Sequence, residues 1–302
     1  MRKYVGFAAI YGWCGVVAYS MVITGNISHR LSPFLVCFLT FSLVAVFFII
    51  YNARRLRHFI GQKMPWDDKV NLAGLNLSSF ISWALMIYPL AYLDPTIVAT
   101  IILGINPIAT AIIGRVFLKQ RPPIQLVLIS LGLAFVMLLL IQHTLDEYRA
   151  NSLPEMNIGL SLAACVLSGL GTCCNNLFTK KLMGSGFSIP DLMCSRFFLT
   201  IVLSGLIALQ SGPLDLNTEM IGPILLTTIF LVIIPLLLLQ ISLRILDPLR
   251  VSIVSPFMPV LVVGIQYLSQ PGSLSLWVVA STVLTWALVT GGTYISIKNS
   301  RN

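Results

Sequence analysis

Long apolar segments separated by short polar ones make up most of the chain. An α-helix needs about 20 apolar residues to cross a hydrocarbon core of about 30 Å, because it rises about 1.5 Å per residue. Segments of this kind lie near residues 5–25, 33–51, 70–92, 95–117, 123–143, 157–179, 188–210, 219–243, 249–269 and 274–297. The pattern therefore predicts an all-α integral membrane protein with ten transmembrane helices.

The composition excludes a water-soluble fold. Hydrophobic residues make up 57% of the chain and charged residues 10%, against about 45–50% and about 25% in soluble domains. The formal net charge of +9 would suggest nucleic acid as the partner of a soluble protein. Here the basic residues lie in short loops, where they direct membrane topology. We therefore expect membrane lipids, and no nucleic acid, as partners.

The distribution of Lys and Arg predicts the orientation. When alternate loops are assigned to opposite sides, all but three of the 19 Lys and Arg residues fall on one side. Arg30 and Arg149 fall on the other side, and Arg196 lies within the seventh segment. Because basic loops stay in the cytoplasm, we expect a multi-pass protein of the cytoplasmic (inner) membrane with both termini cytoplasmic.

Short patterns recur in the two halves of the chain. Leu93–Pro95 opens the fourth segment and Leu246–Pro248 the ninth, and Pro107 and Pro259 follow at nearly equal offsets. Because five crossings is an odd number, the second copy enters the membrane in the opposite orientation. Many secondary transporters consist of such inverted repeats and bind substrate near the midplane between them. The predicted division is a first five-helix repeat over residues 1–150 and a second, inverted one over 151–302.

Three stretches around the fourth segment resemble a known family. Ala91–Ala99, Ile105–Ile108 and Phe117–Arg121 resemble the signature of the EamA-type drug/metabolite transporters. Ser195–Phe197 also resembles a sequence with an arginine that these proteins often carry near the start of the seventh span. The resemblance implies a ten-helix inner-membrane carrier for metabolites, without naming one.

The chain departs from the pattern of that family at two kinds of position. Gln120 and Gln270 stand where the family usually has the acidic residue of its Leu-Gly-Glu-Arg sequence. Leu39 stands where an arginine of the first half would match Arg196. These departures leave the substrate open.

Three prolines lie inside predicted spans, Pro107 in the fourth and Pro256 and Pro259 in the ninth. Each proline frees the carbonyl four residues earlier, here those of Leu103, Ser252 and Ser255. Such a break is either a packing kink or, at matching positions of two inverted halves, part of a transport site.

Further candidates are polar or aromatic residues that the pattern places inside the membrane. A buried amide or hydroxyl needs either a neighbouring helix or a substrate as partner. Tryptophan usually collects at the headgroups, and several mid-span rings together suit a cavity for flat or cationic ligands, although core packing is the alternative. The predicted substrate-binding residues are Trp13, Asn76, Ser79, Trp83, Asn106, Asn175 and Ser255, and Trp286 is a further mid-span tryptophan.

Arg196 lies deep enough in its span to require a partner or a function. Asp191, about one turn earlier, is one candidate partner; an anion-binding or gating role is the alternative. With Pro107, Pro256 and Pro259, Arg196 completes the predicted gating or helix-break residues.

Other chemistry finds no support in the sequence. There is no nucleotide-binding, zinc-protease or serine-hydrolase motif, so we expect no enzyme and no cofactor. The six cysteines lie within apolar segments, which predicts neither disulfides nor a metal site. Ser161, Cys165, Gly169 and Cys173 repeat every four residues, a stripe that predicts close helix packing. No Asp or Glu lies at mid-depth, which favours facilitated diffusion or exchange over a carboxylate proton relay.

These observations favour a secondary transporter, a carrier or exchanger that moves amino acids or related small metabolites by alternating access. The alternative is a lipid-handling protein or flippase, which would need polar residues along a lateral gap between spans. A solute carrier needs them to converge at the centre. The sequence specifies neither the direction of transport nor an oligomeric state.

Overall fold

The computed structural model describes residues 2–28, 31–53, 64–119, 122–150, 155–210, 220–269 and 276–298. Within these residues, 10 helices are long and apolar enough to cross a membrane, so the predicted all-α fold with ten transmembrane helices is confirmed. We number the helices by span. Seven are continuous: α1 (Arg2–Ser28), α2 (Pro33–Tyr51), α3 (Trp66–Ile87, followed by a 3-10 turn at Pro89–Ala91), α4 (Pro95–Phe117), α5 (Ile124–Ala150), α6 (Glu155–Gly184) and α10 (Leu276–Lys298).

Three spans are interrupted. The seventh consists of α7a (Ile189–Ser195) and α7b (Phe198–Gln210), and the ninth of α9a (Pro248–Val254) and α9b (Phe257–Ser269). In the eighth, a π-helical turn at Thr228–Ile233 joins α8a (Ile221–Thr227) to α8b (Ile234–Ile245).

Proline positions explain only part of this pattern. Pro256 coincides with the gap between α9a and α9b, as expected of a residue that lacks a backbone donor. Pro107, by contrast, lies inside α4, which continues past it to Phe117, and Pro259 lies inside α9b. The gap in the seventh span falls at Arg196, one of the predicted gating or helix-break residues, although no proline lies beside it.

Contacts between spans come in matched sets. Helix α1 packs on α8 and α9, as α6 packs on α3 and α4. Helices α2 and α7, α4 and α9, and α5 and α10 pack on each other. Exchanging each span with the one five places along the chain reproduces the same set, as a five-span duplication predicts. The division at residue 150 and the inversion of the second half stay predictions.

Helix α4 lies at the centre of this arrangement. Within its span, 78% of the most apolar window is buried, against 33% for α5 and for α10 at the periphery. The stripe of small residues on α6 is buried, which confirms the packing prediction; its members are Ser161, Cys165, Gly169 and Cys173.

Gly169 allows α6 to approach the backbone of α4. A Cβ atom at this position would lie 2.6 Å from the carbonyl oxygen of Ile102. We therefore expect Gly169→Ala to lower the free energy of unfolding by about 1–3 kcal/mol, the usual cost of overpacking a filled interior. Thermal unfolding of the purified protein in detergent measures the effect.

Gly159 on the same helix provides the matched control. No atom of the described residues lies within 4 Å of its Cβ position, so Gly159→Ala should unfold at the wild-type temperature or above it. Equal melting temperatures for the two variants would contradict the close contact between α4 and α6.

Candidate functional site

A cavity of about 50 Å³ lies inside the bundle, between α1, α3, α4, α6, α8b, α9b and the gap in the seventh span. Of the predicted site residues, four line it: Trp13, Trp83, Asn175 and Arg196. Leu103, whose carbonyl is freed by Pro107, lines it as well. The rest of the wall is largely apolar, with additional polar side chains from Ser82, Thr172 and Asn176. We call this space the central cavity.

Arg196 lies between α7a and α7b and is 1% exposed. Its Nη2 donates to Oδ1 of Asn175. The Nε and Nη1 donors have no hydrogen-bond partner among the described residues. The guanidinium carbon lies 5.3 Å from the centroid of the Phe197 ring, a distance typical of cation–π contacts.

Asp191, the partner suggested by the sequence, makes other hydrogen bonds. Its carboxylate accepts from the backbone N–H of Ser188 at 3.0 Å, in a capping box at the start of α7a, and from Asn52 Nδ2 at 3.2 Å. Asn175 is therefore the hydrogen-bond partner of Arg196. Asn175 is itself positioned by α3, because its Nδ2 donates to Oγ of Ser79 at 2.7 Å. Ser79 thus supports the cavity wall without lining it.

The side chain of Asn76 bridges the gap in the seventh span. In a continuous helix the N–H of Leu199 would donate to the carbonyl of Ser195, four residues earlier. Instead, Leu199 N–H donates to Oδ1 of Asn76 at 3.3 Å, and Asn76 Nδ2 donates to the Ser195 carbonyl at 2.8 Å. The side-chain amide of Asn76 is inserted into one interrupted backbone hydrogen bond. It does not line the central cavity, and its role here is to hold the break that positions Arg196.

Aromatic rings connect Trp83 to the arginine. The centroid of Trp83 lies 5.3 Å from that of Phe41, and Phe41 lies 4.7 Å from Phe197, within the usual range for aromatic pairs. Trp286, by contrast, is 50% exposed on α10 and lies outside the cavity.

Asn106 lies just beyond the cavity. Ile102 and Leu103 line it from α4, and Asn106 follows them by about one helical turn on the same face. Its Oδ1 accepts from Thr110 Oγ1 at 3.1 Å, while its Nδ2 has no partner among the described residues. The amide predicted to contact substrate is therefore buried but is not part of the cavity wall.

Three predicted residues at the break in the ninth span lie outside the cavity wall: Ser255, Pro256 and Pro259. Ser255 Oγ donates to the carbonyl of Val251 at 2.8 Å. The Ser255 carbonyl accepts from Met258 N–H at 3.0 Å and from Cys14 Sγ at 3.7 Å. Neither Pro256 nor Pro259 lines the cavity, but Met258 between them does.

Gln240 and Thr179 were not singled out from the sequence. Both are fully buried, and neither amide atom of Gln240 nor the hydroxyl of Thr179 has a partner among the described residues. Gln240 lies about one turn C-terminal to Leu236, and Thr179 lies one turn C-terminal to Asn175. Asn106 lies C-terminal to Leu103 in the same way. The sequence could have identified Gln240 as a candidate, because it is the one side-chain amide in its span. We call Asn106, Thr179 and Gln240 the polar belt.

A larger cavity of about 330 Å³ lies at one end of the bundle. It is beside the C-termini of α4 and α10 and the N-termini of α5 and α9a. Arg250 and Asp247 on its wall form an ion pair of 2.9 Å. Because the central cavity lies inside the bundle and is lined by four of the predicted site residues, we take it as the candidate site. Within the described residues, no group of three or more His, Cys, Asp or Glu side chains is placed to hold a metal ion.

The bundle and its cavity define a multi-pass helical membrane protein with buried polar and aromatic side chains at its centre. Residues 6–142, which contain α1 to α4 and nearly all of the fifth span, match the EamA-like transporter family. This match over the first part of the chain agrees with the resemblance seen in the sequence. The family implies a membrane transporter of small molecules, and its members are transporters and not enzymes.

A solved crystal structure with 18% sequence identity superposes on 100% of this chain and 99% of its own, with a TM-score of 0.69. At this identity the likeness shows the fold alone. No curated protein matches the chain.

Proposed function

We propose that the protein is a carrier that moves amino acids or related amphipathic metabolites through the central cavity, by alternating access between residues 1–150 and 151–302. The observation that carries the proposal is the composition of the cavity wall. It combines the Trp13 and Trp83 rings with the polar groups of Asn175 and Arg196, and it draws on helices of both halves. A small molecule with one apolar and one polar end fits such a wall.

Movement of the surrounding helices is part of this proposal. The central cavity holds about 50 Å³, whereas ligand pockets usually measure about 300–1,000 Å³. Three spans that contribute to its wall are interrupted, the seventh, eighth and ninth, and breaks of this kind absorb backbone rotation. Three unbranched side chains of the wall, Met21, Met86 and Met258, adapt readily to a new shape.

The polar belt extends the proposed path toward the cytoplasm. Asn106, Thr179 and Gln240 each lie one turn from the cavity wall, toward the C-terminal ends of α4, α6 and α8b. By the positive-inside rule these ends face the cytoplasm. Unpaired buried polar atoms are costly in an apolar interior, and a passing solute or its water would satisfy them.

The buried position of the polar groups favours a solute over a lipid. Arg196 is 1% exposed and Asn175 is 4% exposed, so neither faces a lateral opening along which a headgroup could travel. No carboxylate is among the residues that line the cavity, which supports facilitated diffusion or exchange in place of proton coupling through a carboxylate.

The proposed orientation predicts the labelling of two introduced cysteines. In a variant without the native cysteines, Asp146→Cys near the C-terminal end of α5 should react in intact cells with a thiol reagent that cannot cross the membrane. Ser185→Cys, exposed between α6 and α7a, should react only after the cells are opened. The reverse pattern would overturn the assignment of the termini to the cytoplasm.

Transport in proteoliposomes tests the function itself. Uptake of radiolabelled amino acids, and its acceleration by unlabelled amino acid inside the vesicles, is the expected result for a carrier or exchanger. Movement of fluorescent phospholipid between leaflets, without uptake of any amino acid or related metabolite, would contradict the proposal in favour of the lipid-handling alternative.

A further inference from the structure

The charge of Arg196 has little compensation within the bundle. A guanidinium carries five N–H donors. Here one nitrogen donates to Asn175, and the Nε and Nη1 atoms have no partner within the part of the chain that the structure describes. A charged side chain inside a membrane protein is costly and usually marks a substrate path or a partner. The ring of Phe197 lies beside it, and the described residues that line the cavity offer neutral side chains and no carboxylate.

We infer that Arg196 binds the carboxylate of the substrate in the central cavity, and that the substrates are therefore small carboxylates with an apolar or aromatic portion. This inference rests on the proposed function and names its substrate class. A carboxylate accepts two parallel N–H bonds from one edge of a guanidinium and neutralises its charge. Trp13 and Trp83, which line the same cavity, would contact the apolar portion.

An amino group on the substrate is permitted but not required. The described residues of the cavity wall include no carboxylate to pair with an ammonium, so the available contacts are amide and hydroxyl oxygens and the faces of the tryptophan rings. The carboxylate should therefore decide binding, and the amine should have the smaller effect.

Four related compounds separate these contributions: phenylalanine, 3-phenylpropionate, phenylalaninamide and phenethylamine. Binding to the purified full-length protein in detergent is measured by ligand-induced thermal stabilisation. The two carboxylates should bind at least about 10-fold more tightly than the amide and the amine, because hydrogen bonds to charged groups are the stronger ones. Equal affinity for all four compounds would overturn the inference.

Variants at Arg196 test the residue. Arg196→Gln should weaken carboxylate binding by about 10- to 100-fold and leave amine binding nearly unchanged. Arg196→Lys should recover part of the loss, since an ammonium does not reproduce the paired geometry. Arg244→Gln, an exposed arginine at the end of α8b, is the matched control and should bind like the wild type. Unchanged carboxylate affinity in Arg196→Gln would refute the assignment.

Asn175→Asp provides a second test that retains the arginine. The introduced carboxylate would form an ion pair with the Arg196 guanidinium. The variant should therefore fold and yet bind substrate carboxylates at least about 10-fold more weakly. Wild-type affinity in this variant would count against the inference. Carboxylate binding without uptake in proteoliposomes would support the Arg196 site and overturn the carrier function. Uptake of amines and amides that does not depend on Arg196 would support the carrier function and overturn the Arg196 site.

Discussion

Replacement of Asn76 by leucine is expected to destabilise the protein by about 1–3 kcal/mol for each backbone group that loses its partner. The two groups are the Ser195 carbonyl and the Leu199 N–H, which the Asn76 amide now joins across the gap between α7a and α7b. Leucine has the same number and branching of side-chain heavy atoms but offers neither a donor nor an acceptor. Transport should fall by more than the loss of folded protein, because the same gap positions Arg196.

Ser78→Ala on the same helix is the control for Asn76→Leu. The Ser78 hydroxyl donates to the Leu75 carbonyl within α3, so its loss leaves no backbone group of another helix without a partner. Thermal unfolding in detergent and transport per folded molecule are measured for both. If Asn76→Leu is as stable and as active as Ser78→Ala, the amide does not hold the break.

Trp83→Leu is expected to raise the substrate concentration needed for half-maximal transport by about 2- to 30-fold. The range corresponds to about 0.5–2 kcal/mol for a contact between an aromatic face and a cationic or flat ligand. Trp83→Phe retains a ring that can pack on Phe41 and should lose less. Initial rates of uptake over a range of substrate concentrations give the values.

Trp286→Leu is the matched control for Trp83→Leu. Trp286 also lies within its span, but it is 50% exposed on the periphery of the bundle. Its replacement should leave the half-maximal concentration unchanged. A similar shift in both variants would indicate a general effect of losing a tryptophan and would contradict the aromatic wall of the cavity.

The spans and the family follow from the sequence because they depend on averages over many residues. Hydropathy over about 20 residues marks a crossing regardless of which helix face is buried. The EamA resemblance rested mainly on local sequence around the fourth span, and residues 6–142 match that family. Tertiary packing was not required for either prediction.

Residue roles within the site depend on the rotation and height of each helix, and these are set by packing. Asn76 and Asn175 are equivalent in the sequence, as polar residues inside apolar spans. In the structure one holds a helix break and the other lies on the cavity wall. Asn106 is on the face of α4 that lines the cavity, but it lies one turn beyond the cavity wall. Arg196 was among the predicted gating or helix-break residues, but no local proline marks the break there, and a side chain from another helix stabilises it.

Protection of a cysteine on the cavity wall by substrate tests the central claim most directly. Thr172 lines the cavity and is half-buried, so Thr172→Cys in a variant without the native cysteines places one thiol there. Modification should abolish transport in proteoliposomes, and the best-transported amino acid should slow the modification. Ser185→Cys, exposed between α6 and α7a, should be modified without loss of transport. Wild-type transport by fully modified Thr172→Cys protein would show that substrate does not pass through the central cavity.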